Sequence, residues 1–194
     1  MRGMLGRAVA AFAVVAAVAG GAIFMLEGGH AAASSASAPA AVDVPDPAVA
    51  LGKSGLPLPR FVSLKAGRVN VRVGPGEDYK VAWVFTKSAL PVEIIQEFDT
   101  WRRIRDSDGQ MGWVFHSLLS GKRTAVVTPW AKGDPLPVRA RATADAAVTA
   151  YLQPGVEAAV DRCNGGWCNL SGQGFSGWIE QSQLWGVYPD EVVD

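Results

Sequence analysis

Three patterns of hydrophobic and polar positions succeed one another along this chain. Ala8 to Leu26 is an unbroken run of nineteen small or apolar residues, with Arg2 and Arg7 on its N-terminal side. Residues 34–59 then show no period of 2 or 3.6, contain no aromatic side chain, and are rich in Ala, Ser and Pro. From Phe61 the period becomes two. Val69-Asn-Val-Arg-Val alternates until Gly74-Pro-Gly interrupts it, Val81–Phe85 is short and β-rich, and Pro91–Phe98 is a longer strand. Trp101–Arg105 follows after only Asp99-Thr100. The turn signal Asp106-Ser-Asp-Gly109 then separates it from Gln110–Phe115. That many short strands without a convincing amphipathic helix predict a small closed or nearly closed barrel, because an open sheet of this size would expose long edges.

The pattern repeats. Pro137-Val-Arg-Ala-Arg141 parallels Asn70-Val-Arg-Val73, and Val156–Cys163 parallels Pro91–Phe98. Gly177-Trp-Ile179 parallels Gly112-Trp-Val114, and Leu184 parallels Leu119. The spacing from Arg72 to Trp101 is 29 and from Arg139 to Trp167 is 28; Trp101 to Trp113 is 12 and Trp167 to Trp178 is 11. Agreement at these landmarks predicts two copies of one fold. A short linker is expected between them, around Thr124 to Pro137.

The stretch Val69-Asn-Val-Arg-Val-Gly-Pro-Gly, the strand pair ending in Trp101, and Gly112-Trp-Val-Phe-His-x-Leu-Leu-x-Gly resemble the bacterial Src-homology-3-like (SH3b) domains of exported proteins. The resemblance is close over Phe61 to Gly121. It is looser over Asp134 to Trp185, where Arg141-Ala-Thr-Ala-Asp replaces the Gly-Pro-Gly turn. It implies small β-barrels that bind peptides or cell-wall glycopeptide, often as targeting modules beside a hydrolase, although fold membership does not fix a ligand. The expected architecture is all-β: two tandem SH3-like barrels at residues 60–123 and 124–190, preceded by a disordered Ala/Ser/Pro-rich linker at 34–59 and a signal peptide or membrane anchor at 1–33.

Residues 1–33 carry the features of export. A basic start, an apolar run and Ala31-Ala-Ala33 before Ser34 read as a secretory signal with an Ala-x-Ala cleavage site. An uncleaved anchor is the alternative, since nineteen apolar residues can just span a bilayer; contact with membrane is then expected through residues 8–26 alone. Either reading places the remainder in the periplasm or outside the cell. Cys163 and Cys168 flank the loop Asn-Gly-Gly-Trp, a spacing that makes them cross-strand neighbours in a hairpin, and an oxidising compartment favours a disulfide.

Charge narrows the partners. With 18 basic and 18 acidic side chains, the chain lacks the bulk positive charge of a nucleic-acid binder. Residues 60–123 carry 11 basic and 7 acidic groups, whereas 124–194 carry 4 and 8. The two copies could therefore dock on each other, or the first, with Arg102, Arg103, Arg105, Lys122 and Arg123, could face an anionic polymer.

Catalysis has little to work with. His30 lies in the export segment, which leaves His116 as the one candidate base, and no phosphate loop, metal-ligand cluster or cofactor motif is present in the sequence. No catalytic residue, metal or cofactor is expected. All 7 tryptophans follow residue 80, and Trp83, on an apolar strand, reads as core. Trp101 is different, because alternation puts it on the face of Arg103 and Arg105, opposite Ile104. If Ile104 is core, Trp101 is at least partly exposed, and the resemblance implies that it and Trp113 border a ligand groove, with Trp178 the counterpart of Trp113 in the second copy. Asp78 and Tyr79 would flank that groove, with Glu97 or Asp99 meeting an amine and Arg103 a carboxylate. The expected function is a non-enzymatic envelope module that binds cell-wall peptide or glycan, or a periplasmic protein; the alternative is a scaffold without affinity for the wall.

Overall fold

The computed structural model describes residues 50–194; the expected signal or anchor at 1–33 and residues 34–49 of the expected linker lie outside them. Alternation does the building. In β4 (Val69–Arg72), Val69 and Val71 are fully buried while Asn70 and Arg72 face outward. The first sheet also holds β3 (Arg60–Leu64), β5 (Val81–Phe85), β6 (Pro91–Phe98), β7 (Trp101–Arg105), β8 (Met111–Phe115) and β9 (Leu119–Ser120), in the order β5-β4-β8-β7-β6-β3-β9. A bulge between Ile94 and Gln96 kinks β6, increasing its local twist. The core that results contains Leu64, Val69, Val71, Val92, Ile94, Ile104 and Val114. Burying each such aliphatic side chain stabilises by about 1.5–3 kcal/mol.

The second sheet follows the same plan. Its strands are β10 (Thr124–Val127), β11 (Leu136–Arg139), β12 (Val148–Leu152), β13 (Glu157–Asn164), β14 (Trp167–Gly172), β15 (Phe175–Glu180) and β16 (Leu184–Trp185), in the order β12-β11-β15-β14-β13-β10-β16. Each strand stands where the strand seven earlier stands in the first sheet, and a 3₁₀ turn precedes the last strand in both, at His116–Leu118 and Gln181–Gln183. The architecture is nearly all β, two tandem barrels. The Gly-Trp repeat has a steric cause. A Cβ on Gly112 would run into the Val71 side chain, and one on Gly177, at φ 153°, would sit 2.7 Å from the Arg139 carbonyl oxygen.

Two segments depart from the expected plan. Thr124–Val127 is the first strand of the second barrel rather than linker, because Ala125 and Val127 are fully buried and pair with β13 and β16. The chain from 50 to 58, read as part of an unordered tether, forms a hairpin of β1 (Ala50–Leu51) and β2 (Pro57–Leu58). Composition missed it because its anchor is remote: the Ser54 amide and hydroxyl both donate to the Glu97 carboxylate at 2.8 Å. A last short strand, β17 (Val192–Val193), pairs with β13.

The barrels meet along a seam. Phe61 packs edge-on against Trp185 (centroids 5.1 Å apart) and at a tilt against Tyr188 (4.7 Å), and it belongs to neither core. The Tyr188 hydroxyl donates to Glu93 at 2.9 Å, and the other Glu93 oxygen accepts from Arg105 Nε at 2.7 Å. Arg123, at the joint, holds Glu191 with two bonds of 2.7 and 2.9 Å. Lys87 pairs with Glu157 at 2.8 Å.

Candidate functional site

A surface groove recurs at the same place in each barrel. In the first it is a hollow of about 350 Å³ lined by Arg68, Asn70, Arg72, Trp101, Phe115 and neighbouring residues of the 3₁₀ turn. In the second it is about 170 Å³, lined by Pro137, Arg139, Trp167, Glu180, Gln183 and neighbours. Strand register makes these the same positions, since Arg72 pairs with Trp113 as Arg139 pairs with Trp178, and Trp101 with Phe115 as Trp167 with Glu180. The arginine in each shapes the wall. Arg72 Nη1 donates to the Tyr79 carbonyl at 2.6 Å, and Arg139 Nη1 to the Ala146 carbonyl at 2.9 Å, seven residues on in both. The amide seven residues before the far end of each loop closes it too, Val73 to Lys80 and Ala140 to Ala147. The two loops thus share one frame although only the first carries Gly-Pro-Gly.

The grooves differ in chemistry. The first presents Arg68 and Arg72 against Glu77, over an aromatic floor of Trp101 and Phe115 whose rings meet edge-on at 5.6 Å. Phe115 is replaced by Glu180 in the second, so that groove balances one arginine against one carboxylate, and its volume is smaller. The first can accept an extended chain with a carboxylate, by apolar contact and charge-assisted hydrogen bonds. Arg68, Asn70, Phe115 and Ser117 were not singled out from sequence. The outward positions of β4 and β8 would have shown Asn70 and Phe115, and Arg68 precedes β4 in the same alternation.

The residues expected to bind ligand do not all gather there. Trp101 does line the groove on the outward face, as alternation requires, but it is 8% exposed. The expectation of an exposed ring fails because the chain after β8 folds back over this end of β7. There, His116 donates its amide to the Thr100 carbonyl at 2.9 Å, and Phe115 covers the ring. Glu97 is withdrawn altogether. Burial raises its pKa, but the Ser54 amide, Arg60, the Ser54 hydroxyl and the charge of Arg102 outweigh that and hold the carboxyl down to about 2. Every strong partner of this carboxylate is internal, so it has none left for a ligand amine. Asp99 is exposed at the β6–β7 turn with φ 48°, and Asp78 and Tyr79 are exposed in the loop held by Arg72. Arg103 and Trp113 are half-buried and cross-strand neighbours. Trp178 lies beneath Arg162, whose guanidinium is 5.0 Å from the ring centroid. Trp83 packs on the first core, as expected.

The basic patch read from sequence also shrinks. Arg102 pairs with Glu97, Arg105 with Glu93 and Arg123 with Glu191, which leaves Arg103 and Lys122 of the five. Cys163 and Cys168 form a disulfide, with Cα atoms 4.1 Å apart and both residues buried. Among the described residues there is no free cysteine, and no group of three His, Cys, Asp or Glu side chains is placed to hold a metal ion.

Two copies of one strand order, each with a Gly-Trp hairpin and a loop-clamping arginine, match a known sequence profile. That of the bacterial SH3 domain aligns twice, over residues 65–121 and 132–186. The chain belongs to the bacterial SH3 domain family. The profile's two matches fall within the two barrels, so these are tandem bacterial SH3 domains. Among solved structures, the chain is similar to NlpC2 from Trichomonas vaginalis at 11% identity with a TM-score of 0.32, over 65% of this chain and 47% of that one. NlpC1 from the same organism gives 11% and 0.28, over 69% and 48%. The chain therefore spans about half the length of those proteins. No curated protein matches it. As SH3 domains, both barrels place their grooves beside the loop between β4 and β5, or between β11 and β12.

Proposed function

We propose that this chain is a non-enzymatic binding module of the cell envelope, whose first groove takes a short carboxylate-bearing peptide such as that of peptidoglycan. One observation carries the reading: the same Arg–Trp groove recurs in both barrels, while Arg102, Arg105 and Arg123 of the basic surface are spent on internal ion pairs. In the first groove, Arg68 meets the carboxylate, the Trp101–Phe115 floor takes the aliphatic part, and Glu77 or Asp78 meets an amine. Trp101 acts as floor rather than as an exposed stacking platform. A periplasmic or secreted location is supported by the buried disulfide and by the apolar run Ala8–Leu26 followed by Ala31-Ala-Ala33. The scaffold alternative would gain from apolar surface centred on the second barrel. Large exposed apolar side chains are instead spread over both, from Val73 and Phe98 to Tyr151 and Val192.

The test is co-sedimentation of residues 45–194, the compact unit that carries both barrels, with purified peptidoglycan at low and raised salt. Wild type is expected to pellet with the wall, less so as salt screens Arg68. Arg68→Glu, an exposed substitution, is expected to abolish most of the binding without altering the near-UV spectrum. Trp101→Ala is the poorer probe because it also opens a cavity. A folded wild type that stays in the supernatant would overturn the reading and turn the search to a periplasmic protein partner.

A further inference from the structure

Docking of the barrels creates a second concavity that neither groove touches. Two adjoining hollows, of about 800 and about 280 Å³, share Ala89, Lys122 and Thr124 and lie along the junction. One wall comes from the first barrel, including Lys65, Lys87 and Ser88. The other comes from the second, including Gly155, Gly172 and Phe175. We infer that this inter-barrel cleft is a binding site for a carboxylate-rich peptide segment, with Lys65 and Lys122 as its charged contacts.

Charge is the first argument. Glu157 is the single acidic residue lining the two hollows, and Lys87 neutralises it at 2.8 Å. Lys65 and Lys122 are exposed and have no acidic partner within ion-pair distance among the described residues. The cleft therefore carries two uncompensated positive charges in a chain that is neutral as a whole. A cleft focuses such charge more than a flat surface does.

Hydrogen bonding and shape agree with it. Ser88 and Ser120 line the cleft with hydroxyls, and Thr124, which lines both hollows, has a hydroxyl without a hydrogen-bond partner. The far wall includes Gly155, Gly172, Ala158 and Ala159 beside the Phe175 ring, so main chain can approach closely at those positions. Combined, the hollows are too large for a single carboxylate and suit an extended peptide of a few residues. Lysine is also the appropriate cation here. Its compact ammonium on a flexible stem can follow side-chain carboxylates, whereas arginine would impose one planar fork.

The cleft depends on the seam and shares no lining residue with the first groove, so it stands independently of the reading proposed for that groove. The probe is a capped triglutamate peptide, with capped triglutamine as its neutral counterpart, titrated into ¹⁵N-labelled residues 45–194. Saturable shifts are expected at Ala89, Gly155 and Gly172 with triglutamate and not with triglutamine, weakening as salt is raised. Lys65→Ala/Lys122→Ala, which alters only exposed side chains, is expected to weaken binding by about tenfold. Arg68→Glu is expected to leave it unchanged. The inference is overturned if no saturable binding occurs, if the lysine variant binds as wild type does, or if shifts centre on Asn70 and Phe115 and vanish with Arg68→Glu.

Discussion

Glu97 shows how one side chain can look like a ligand contact in sequence and be a clamp in the fold. Its carboxylate accepts from the Ser54 amide and hydroxyl and from Arg60 Nη2 at 2.7 Å, with Arg102 Nε at 3.3 Å. It thereby fixes the β1–β2 hairpin on β6. A folded-state pKa of about 2, below the ordinary 4.5, fixes the sign of the pH effect. Stability from this group is complete above about pH 4.5 and is lost as pH falls through about 2. Glu97→Gln keeps the shape and removes the charge from beside two arginines, so at neutral pH it is expected to cost about 2 kcal/mol. Urea midpoints at neutral and acidic pH check this: the gap between wild type and variant should narrow in acid. Amide exchange at Ser54 should be faster in the variant. Parallel acid sensitivity of the two proteins would remove Glu97 from this role.

The strands show what could and could not be read in advance. Val81–Phe85, Pro91–Phe98 and Trp101–Arg105 match their expected bounds, because turn residues and alternation were both explicit there. The repeat was legible from spacing alone. What spacing could not show is that the Glu97–Arg102 pair and the Cys163–Cys168 pair occupy the same cross-strand position in the two barrels. Each is covered by a terminal extension: the β1–β2 hairpin in the first, β17 in the second, where Val193 pairs with Cys163. Such short segments lack a pattern of their own and are ordered only by what they land on. An ion-pair clamp and a covalent bridge thus do equivalent work at one site. Closing so short a loop stabilises by about 2 kcal/mol on the chain-entropy model, so Cys163→Ala/Cys168→Ala should lower the urea midpoint accordingly. Deleting Val192–Asp194 should leave the bridge intact but speed its reduction by dithiothreitol under native conditions, followed by alkylation and mass. Equal reduction rates with and without β17 would show that the strand does not protect it.

At the scale of the whole molecule, the question is whether two barrels act as one body. Opposite net charges suggested docking, and ion pairs do bridge the copies at Lys87–Glu157 and Arg123–Glu191. The more telling contacts are apolar and were invisible in sequence. Phe61 sits in β3 on the face opposite Val62 and Leu64, and it is 7% exposed because Trp185 and Tyr188 cover it. Tyr188 in turn reaches Glu93, and its hydroxyl is pushed above its ordinary pKa by burial and then by the Glu93 carboxylate, so it stays protonated as a donor at any physiological pH. Exposed pairs such as Lys87–Glu157 contribute little, whereas burial of Phe61 is large enough to couple the barrels. Removing a buried Phe side chain costs about 3 kcal/mol. Here that loss falls on the seam and not on either core, so Phe61→Ala is expected to uncouple the barrels and leave both folded. Differential scanning calorimetry should then show one transition for wild type and two for the variant. Lys87→Ala should keep one transition at nearly the same temperature. Small-angle scattering would register the same uncoupling as a larger radius of gyration. If Phe61→Ala melted as a single lowered transition, its burial would support the first barrel itself, and the joint would have to be held by Arg123, Glu191 and Tyr188 instead.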